Sequence, residues 1–171
     1  MNANFAASLA AVLVHEGGFV DDPRDPGGAT QKGVTQAVYD DWRQGHELPK
    51  QSVRLLSQFE LEAIYRKLYW DAIQGDQLPL GVDYCTFDFA VNSGVKRAAR
   101  YLQRAAGVAD DGQIGPMTLA AVNAKPADEL IDAVCDARLA FLEQLGTFGH
   151  FGRGWTTRVN EVRAMAKGMA A

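Results

Sequence analysis

Cysteine is scarce in this chain. Cys85 and Cys135 are the only two in 171 residues. That excludes a disulfide-built scaffold and a thiolate metal cluster; both cysteines fall in apolar helical patterns that suit buried free thiols, with a single bridge between them left open on sequence. Histidine is equally thin, with three residues, His15, His46 and His150, set far apart. His15-Glu16 does not continue as a zinc helix, because Phe19 stands at the fifth position and Gly17-Gly18 interrupts the turn. Asp110-Asp111-Gly112 lacks the alternating oxygen ligands of a calcium loop and reads as a turn. No metal and no cofactor are expected. Long apolar runs are missing too. The first one is interrupted by Ser8, ends at His15-Glu16 and is too short to span a bilayer. No basic residue precedes it, so it does not read as a secretory signal. The expectation is a protein without membrane insertion, held in the cytoplasm until something else releases it to the periplasm or cell wall. Nor is there an excess of positive charge: 17 Lys and Arg stand against 21 Asp and Glu, a net charge of −4. Nothing therefore favours nucleic acid, and any binding to an anionic polymer must be local and shape-based.

What is present is a globular composition, 47% apolar and 22% charged, with the punctuation of a helical protein. A first helix is expected from about Asn4 to His15, with Gly17 in the left-handed position after it. An irregular segment or short hairpin spans Phe19 to Gly33, where Asp-Pro and Gly-Gly pairs mark turns. Thr35 caps a second helix. Ser57-Gln58-Phe59-Glu60 is a capping box for a third, reaching Tyr69 or Trp70. Further helices follow Gly81, cover Lys96–Ala106 with Gly107 as stop, and open at Gly115-Pro116. Pro126 opens what reads as the longest helix, closed by Gly146, and a last helix follows Thr156 or Thr157. No low-complexity linker or internal repeat appears. We expect one compact domain over 1–171, with residues 1–80 forming one half and 81–171 a second half packed against it, acting as a monomer.

Glu16 is the residue around which chemistry is best argued. Phe5, Leu9, Val12 and Glu16 share one helix face, so Glu16 continues an apolar stripe. A carboxyl group at the edge of a core is favoured in its protonated form, as a general acid requires. The loop after the helix can bring a second carboxylate, Asp25, across a cleft. Two carboxylates in unlike surroundings are what glycoside hydrolysis needs. Plainer roles stand beside these: Glu16 as a solvated helix end, and Asp25 as a turn residue before Pro26.

Two stretches go beyond pattern. One is Glu16-Gly17-Gly18-Phe19-Val20-Asp21-Asp22-Pro23 with Asp25-Pro26-Gly27-Gly28-Ala29-Thr30 and Lys32-Gly33-Val34-Thr35. The other is Asp88-Phe89-Ala90-Val91-Asn92-Ser93-Gly94 with Leu102-Gln103 and Asp111-Gly112-Gln113-Ile114-Gly115-Pro116. Together they resemble glycoside hydrolase family 108, muramidases of phage and bacterial origin whose second half is peptidoglycan-binding-like. The resemblance implies a mainly α, lysozyme-like helical fold with a small irregular or hairpin segment after the first helix. It implies that the substrate is the glycan strand of peptidoglycan, cut at the β-1,4 bond from N-acetylmuramic acid to N-acetylglucosamine, with Glu16 as catalytic acid. By analogy with phage-type lysozymes, Asp25 is the second carboxylate and Thr30 a third catalytic residue. A phage or prophage endolysin would need a separate holin-type partner for release.

Asn92 either donates to a sugar or caps its helix. Tyr39 and Trp70 are candidate sugar-stacking faces, and aromatics at helical spacing also build cores. Two other functions remain open on sequence: a lytic transglycosylase that uses Glu16 alone, and a non-catalytic peptidoglycan-binding protein. On the leading reading, the purified chain should clear exposed peptidoglycan and leave untreated Gram-negative cells largely intact. Turbidity measured with and without an outer-membrane permeabiliser checks this, and rapid lysis of untreated cells would contradict it.

Overall fold

Helix-forming runs separated by glycine and proline stops become eight α-helices in the computed structural model, which describes residues 3–22 and 28–171. They are α1 (Ala3–Leu13), α2 (Gln36–Gly45), α3 (Gln58–Tyr65), α4 (Val82–Ser93), α5 (Val95–Ala106), α6 (Pro116–Asn123), α7 (Ala127–Glu143) and α8 (Phe148–Ala170). One antiparallel ribbon pairs β1 (Thr30–Gln31) with β2 (Val34–Thr35). The fold is the mainly α, lysozyme-like helical one, with a hairpin after the first helix. The chain divides into two compact units, Leu9–Leu68 and Met1–Ser8 with Tyr69–Ala171.

The unit Leu9–Leu68 is organised by its caps. Lys32 and Gly33 both take positive φ, 46° and 78°, the backbone a two-residue hairpin turn requires. Thr35 accepts the Val38 amide at 3.3 Å and starts α2. Ser57 and Glu60 form the predicted capping box of α3. Glu60 serves a second purpose, since its carboxylate accepts the Tyr39 hydroxyl at 2.8 Å and Arg43 Nη1 at 2.7 Å. The helix then widens into a π-helical turn, Arg66–Trp70.

The other unit is built on α4. Every residue from Val82 to Ala90 is buried, and α5, α7 and α8 all pack against it. Asp88 lies in this interior with no exposed surface. Arg138 of α7 donates to its Oδ1 at 2.7 Å and Arg158 of α8 to its Oδ2 at 2.9 Å. Burial opposes ionisation of Asp88, but the two guanidiniums outweigh it and hold the carboxyl below the usual range. Cys85 and Cys135 are buried free thiols. Burial pushes Cys135 up to about 11 and Cys85 well above its ordinary value, so both stay protonated.

α1 stops at Leu13 and α3 at Tyr65, short of the expected His15 and Tyr69 or Trp70, and the last helix differs most from the sequence reading. The last helix begins at Phe148 and, at 23 residues, is longer than α7 with its 17. Gly149, Gly152 and Gly154, poor helix formers, lie within α8. Packing overrides propensity here: Gly152 is buried, and a Cβ on it would stand 2.7 Å from the Phe148 ring. Further along, Arg163 and Lys167 pair with Asp132 and Asp136 of α7. Val159, Val162 and Ala166 form the buried stripe of α8, and among the described residues no helix is long and apolar enough to cross a membrane.

The Asp88 cluster carries a testable cost. Asp88→Ala strands two cations, one of them fully buried, and should lower unfolding free energy by about 3–5 kcal/mol. Because the folded carboxyl is held below its unfolded value of about 3.9, its contribution is complete above that pH and is lost as pH falls through the folded value. Urea titrations of wild type should show stability declining below about pH 4, and Asp88→Ala should show less of that decline.

Candidate active site

Glu16 lies just past the end of α1. The helix stops at Leu13, and the turn continues through His15 N to Val12 O at 3.0 Å and Glu16 N to Leu13 O at 3.3 Å. Glu16 therefore stays one turn beyond Val12, which is fully buried, and is itself half-buried. The expected left-handed Gly17 is not found, since neither Gly17 nor Gly18 takes a positive φ. No atom lies within 4 Å of a Cβ built on either, so this stretch after Glu16 presents bare backbone to open space.

The β1–β2 turn closes on the Glu16 carboxylate. A Cβ built on Gly33 would lie 3.0 Å from Glu16 Oε2 and 2.5 Å from the Tyr65 hydroxyl oxygen. Carboxylate and phenol thus converge on the space that glycine leaves empty. The Tyr65 ring is buried, and its hydroxyl donates to the Lys32 carbonyl at 2.9 Å, which ties α3 to the turn. An acid on one element, a phenol on another and an open backbone turn between them make a small polar site at the edge of an apolar core. Tyr65 and the Gly33 turn limit where the Glu16 carboxylate can go.

The other sequence candidates divide. Thr30 opens β1, where its amide and carbonyl pair with Val20 at 2.8 Å each and its hydroxyl donates to the Gly28 carbonyl at 3.3 Å. Asp25 lies outside the described residues. Tyr39 and Trp70 are corrections. Tyr39 has no exposed surface, and its hydroxyl is bound by Glu60, Arg43 and Gln51. Trp70 is 1% exposed, set edge-to-face between Phe5 and Phe87 with its indole N–H on Asp76. Neither ring offers a face to a sugar, because both are packed inside the core with their polar atoms bonded to protein groups. Asn92 is exposed in the last turn of α4, and its carboxamide oxygen accepts from Arg138 at 3.3 Å and from Ser93 at 3.0 Å. The helix cap is Gly94.

Sequence reasoning missed Tyr65 and the role of Gly33. Lys32-Gly33 entered only as part of the family motif, and its approach to Glu16 depends on how the hairpin folds back. Tyr65 carried only the signal of an apolar helix face. Among the described residues no group of three or more His, Cys, Asp or Glu could hold a metal ion.

Gly33→Ala tests the convergence against a matched control. Gly28 has a similar φ of 68° but nothing within 4 Å of its Cβ, so Gly28→Ala carries backbone strain alone, about 1–2 kcal/mol. Gly33→Ala adds the collision with Tyr65 and Glu16 and should lower the thermal midpoint further than the control by several degrees. Equal midpoints would remove the contact from the account.

Comparisons with known proteins show the family. Residues 9–94 match the family described as glycosyl hydrolase 108, and residues 97–160 match one described as a predicted peptidoglycan domain. Among solved structures the chain is similar to Brucella abortus SagA, with 47% identity and a TM-score of 0.85 over 99% of this chain and 97% of that one. No match is found among curated proteins.

Proposed function

Since the chain belongs to the glycosyl hydrolase 108 family, and is thereby a glycoside hydrolase that acts on peptidoglycan, we propose that it is an N-acetylmuramidase with Glu16 as its general acid. The bond cut is the β-1,4 link from N-acetylmuramic acid to N-acetylglucosamine. The observation that carries the reading is the half-buried Glu16 carboxylate, seated against the Gly33 turn beside the Tyr65 hydroxyl. A carboxyl so confined keeps one oxygen directed and can protonate a leaving glycosidic oxygen from a fixed position. Asp25, nine residues on, is the second carboxylate, which activates water or stabilises the oxocarbenium ion. Thr30 stands with it as a third catalytic group, and Asn92 contributes to substrate binding. Residues 1–80 act as the catalytic half and 81–171 as the peptidoglycan-binding half. The protein works as a monomer and, as a phage or prophage endolysin, depends on a holin-type partner for release.

Mass spectrometry of muropeptides from digested sacculi tests bond, product end and acid together. Wild type should yield reducing N-acetylmuramic acid ends. Glu16→Gln keeps the shape but cannot give a proton, and should lose at least about 10²–10⁴-fold in rate. Asp25→Ala should cost nearly as much. Anhydro ends with full activity in Asp25→Ala would replace hydrolysis by the transglycosylase reaction.

A further inference from the structure

The chain is acidic overall, yet one face of α5 is not. Lys96, Arg97, Arg100 and Arg104 fall at helical spacing on its exposed side. They line a cavity of about 500 Å³, with Tyr101 and Phe141 as its apolar wall. That volume lies within the range of about 300–1,000 Å³ usual for ligand pockets. The cavity continues past Arg97 and Phe141 into a second hollow of about 320 Å³ that ends at Trp155.

These cations are held in place by their surroundings. Arg97 lies over the Phe141 ring at 4.3 Å and Arg104 over Tyr101 at 5.1 Å, so both guanidiniums make cation–π contacts with the aromatic wall. The Asp110-Asp111-Gly112 turn braces the others. A Cβ on Gly112 would meet the stems of Lys96 and Arg100 at 2.7 and 3.3 Å, and Arg100 donates to the Asp110 carbonyl at 2.9 Å. Gln103 fixes that turn from within, donating to Asp111 at 2.7 Å and accepting the Gly112 amide at 2.8 Å. Asp110 offsets Arg104 at 2.6 Å and Arg100 at 3.9 Å. Among the described residues, no carboxylate lies within ion-pair reach of Lys96 or Arg97. The amides that open α5 at Gly94, on the rim of the same cavity, have no side-chain cap.

We infer that this groove binds the carboxylates of the peptide stems of peptidoglycan. The inference rests on the proposed substrate. In that polymer the lactyl carboxyl of muramic acid is consumed in the amide bond to the stem. The negative charges therefore sit on the peptide, and the neutral sugars give a row of cations nothing to bind. Guanidiniums in contact with aromatic rings present their N–H edges to carboxylates in paired hydrogen bonds. Stem recognition by the α5 groove makes the enzyme prefer stem-bearing strands over naked glycan.

The test is an amide-resolved NMR titration of the full chain with soluble stem peptide released from sacculi by an amidase. Shifts should concentrate at Gly94–Arg104 and disappear when the peptide carboxylates are methyl-esterified, a control that needs no variant. Lys96→Gln combined with Arg97→Gln, verified as folded by circular dichroism, should bind the peptide about tenfold more weakly. The same variant should raise KM on sacculi more than on stem-free glycan. Absence of shifts, shifts elsewhere, equal binding of the esterified peptide, or displacement of the peptide by inorganic phosphate or an oligonucleotide at lower concentration would overturn the assignment. Stem binding without any glycan cleavage would instead fault the hydrolase reading and leave the groove standing.

Discussion

The Asp88 carboxylate, buried between two guanidiniums, sets the geometry of the larger unit. α4 is enclosed on all sides, so Asp88 has no route to water and can remain charged only between two guanidiniums. Those come from different helices and must aim at the same two oxygens. This fixes the rotation of α7 and α8 about α4 more tightly than apolar contact would, since apolar faces tolerate small slides. Phe141 stands three residues beyond Arg138, and Trp155 three before Arg158. The charge inside therefore determines which aromatic faces line the groove outside. Such a cluster adds little net stability, and its contribution is orientation.

The smaller unit shows the opposite economy, where position is set by an omitted atom. The hairpin turn passes so close to the Glu16 carboxylate that only glycine fits, and Tyr65 closes the remaining side. Little of this was visible in the sequence. The capping box at Ser57-Glu60, the stop at Gly107 and the start at Pro116 were legible because they are local, each a matter of three or four residues. The start of α8 was not, because its first turns contain three poor helix formers and its packing on α7 and α4 is not local. Tyr39 and Trp70 suited a sugar-binding surface as well as a core on pattern alone, and their burial is decided by distant partners, Glu60 for one and Phe5 with Phe87 for the other. The half-buried position of Glu16 one turn past Val12 was legible because it continues the apolar stripe of the first helix.

Charge is partitioned in a way that net composition conceals. An acidic chain avoids indiscriminate adhesion to an anionic wall, while the α5 face concentrates cations where the Asp110–Gly112 turn can order them. Gln103 and Asp111 look like recognition residues in a motif, but they are spent inside the fold, on the loop that braces Lys96 and Arg100. The motif thus acts on the groove through its shape.

The empty space at Gly33 also has a genetic consequence. Every single-base change in a glycine codon that encodes another residue adds a Cβ, and here each such addition collides with the phenol and the carboxylate at once. No small first step leads away from this position. Escape would require a simultaneous change at Tyr65 or a rebuilt turn, so drift in this region should be channelled to positions such as Gly17 and Gly18, where an added Cβ meets open space.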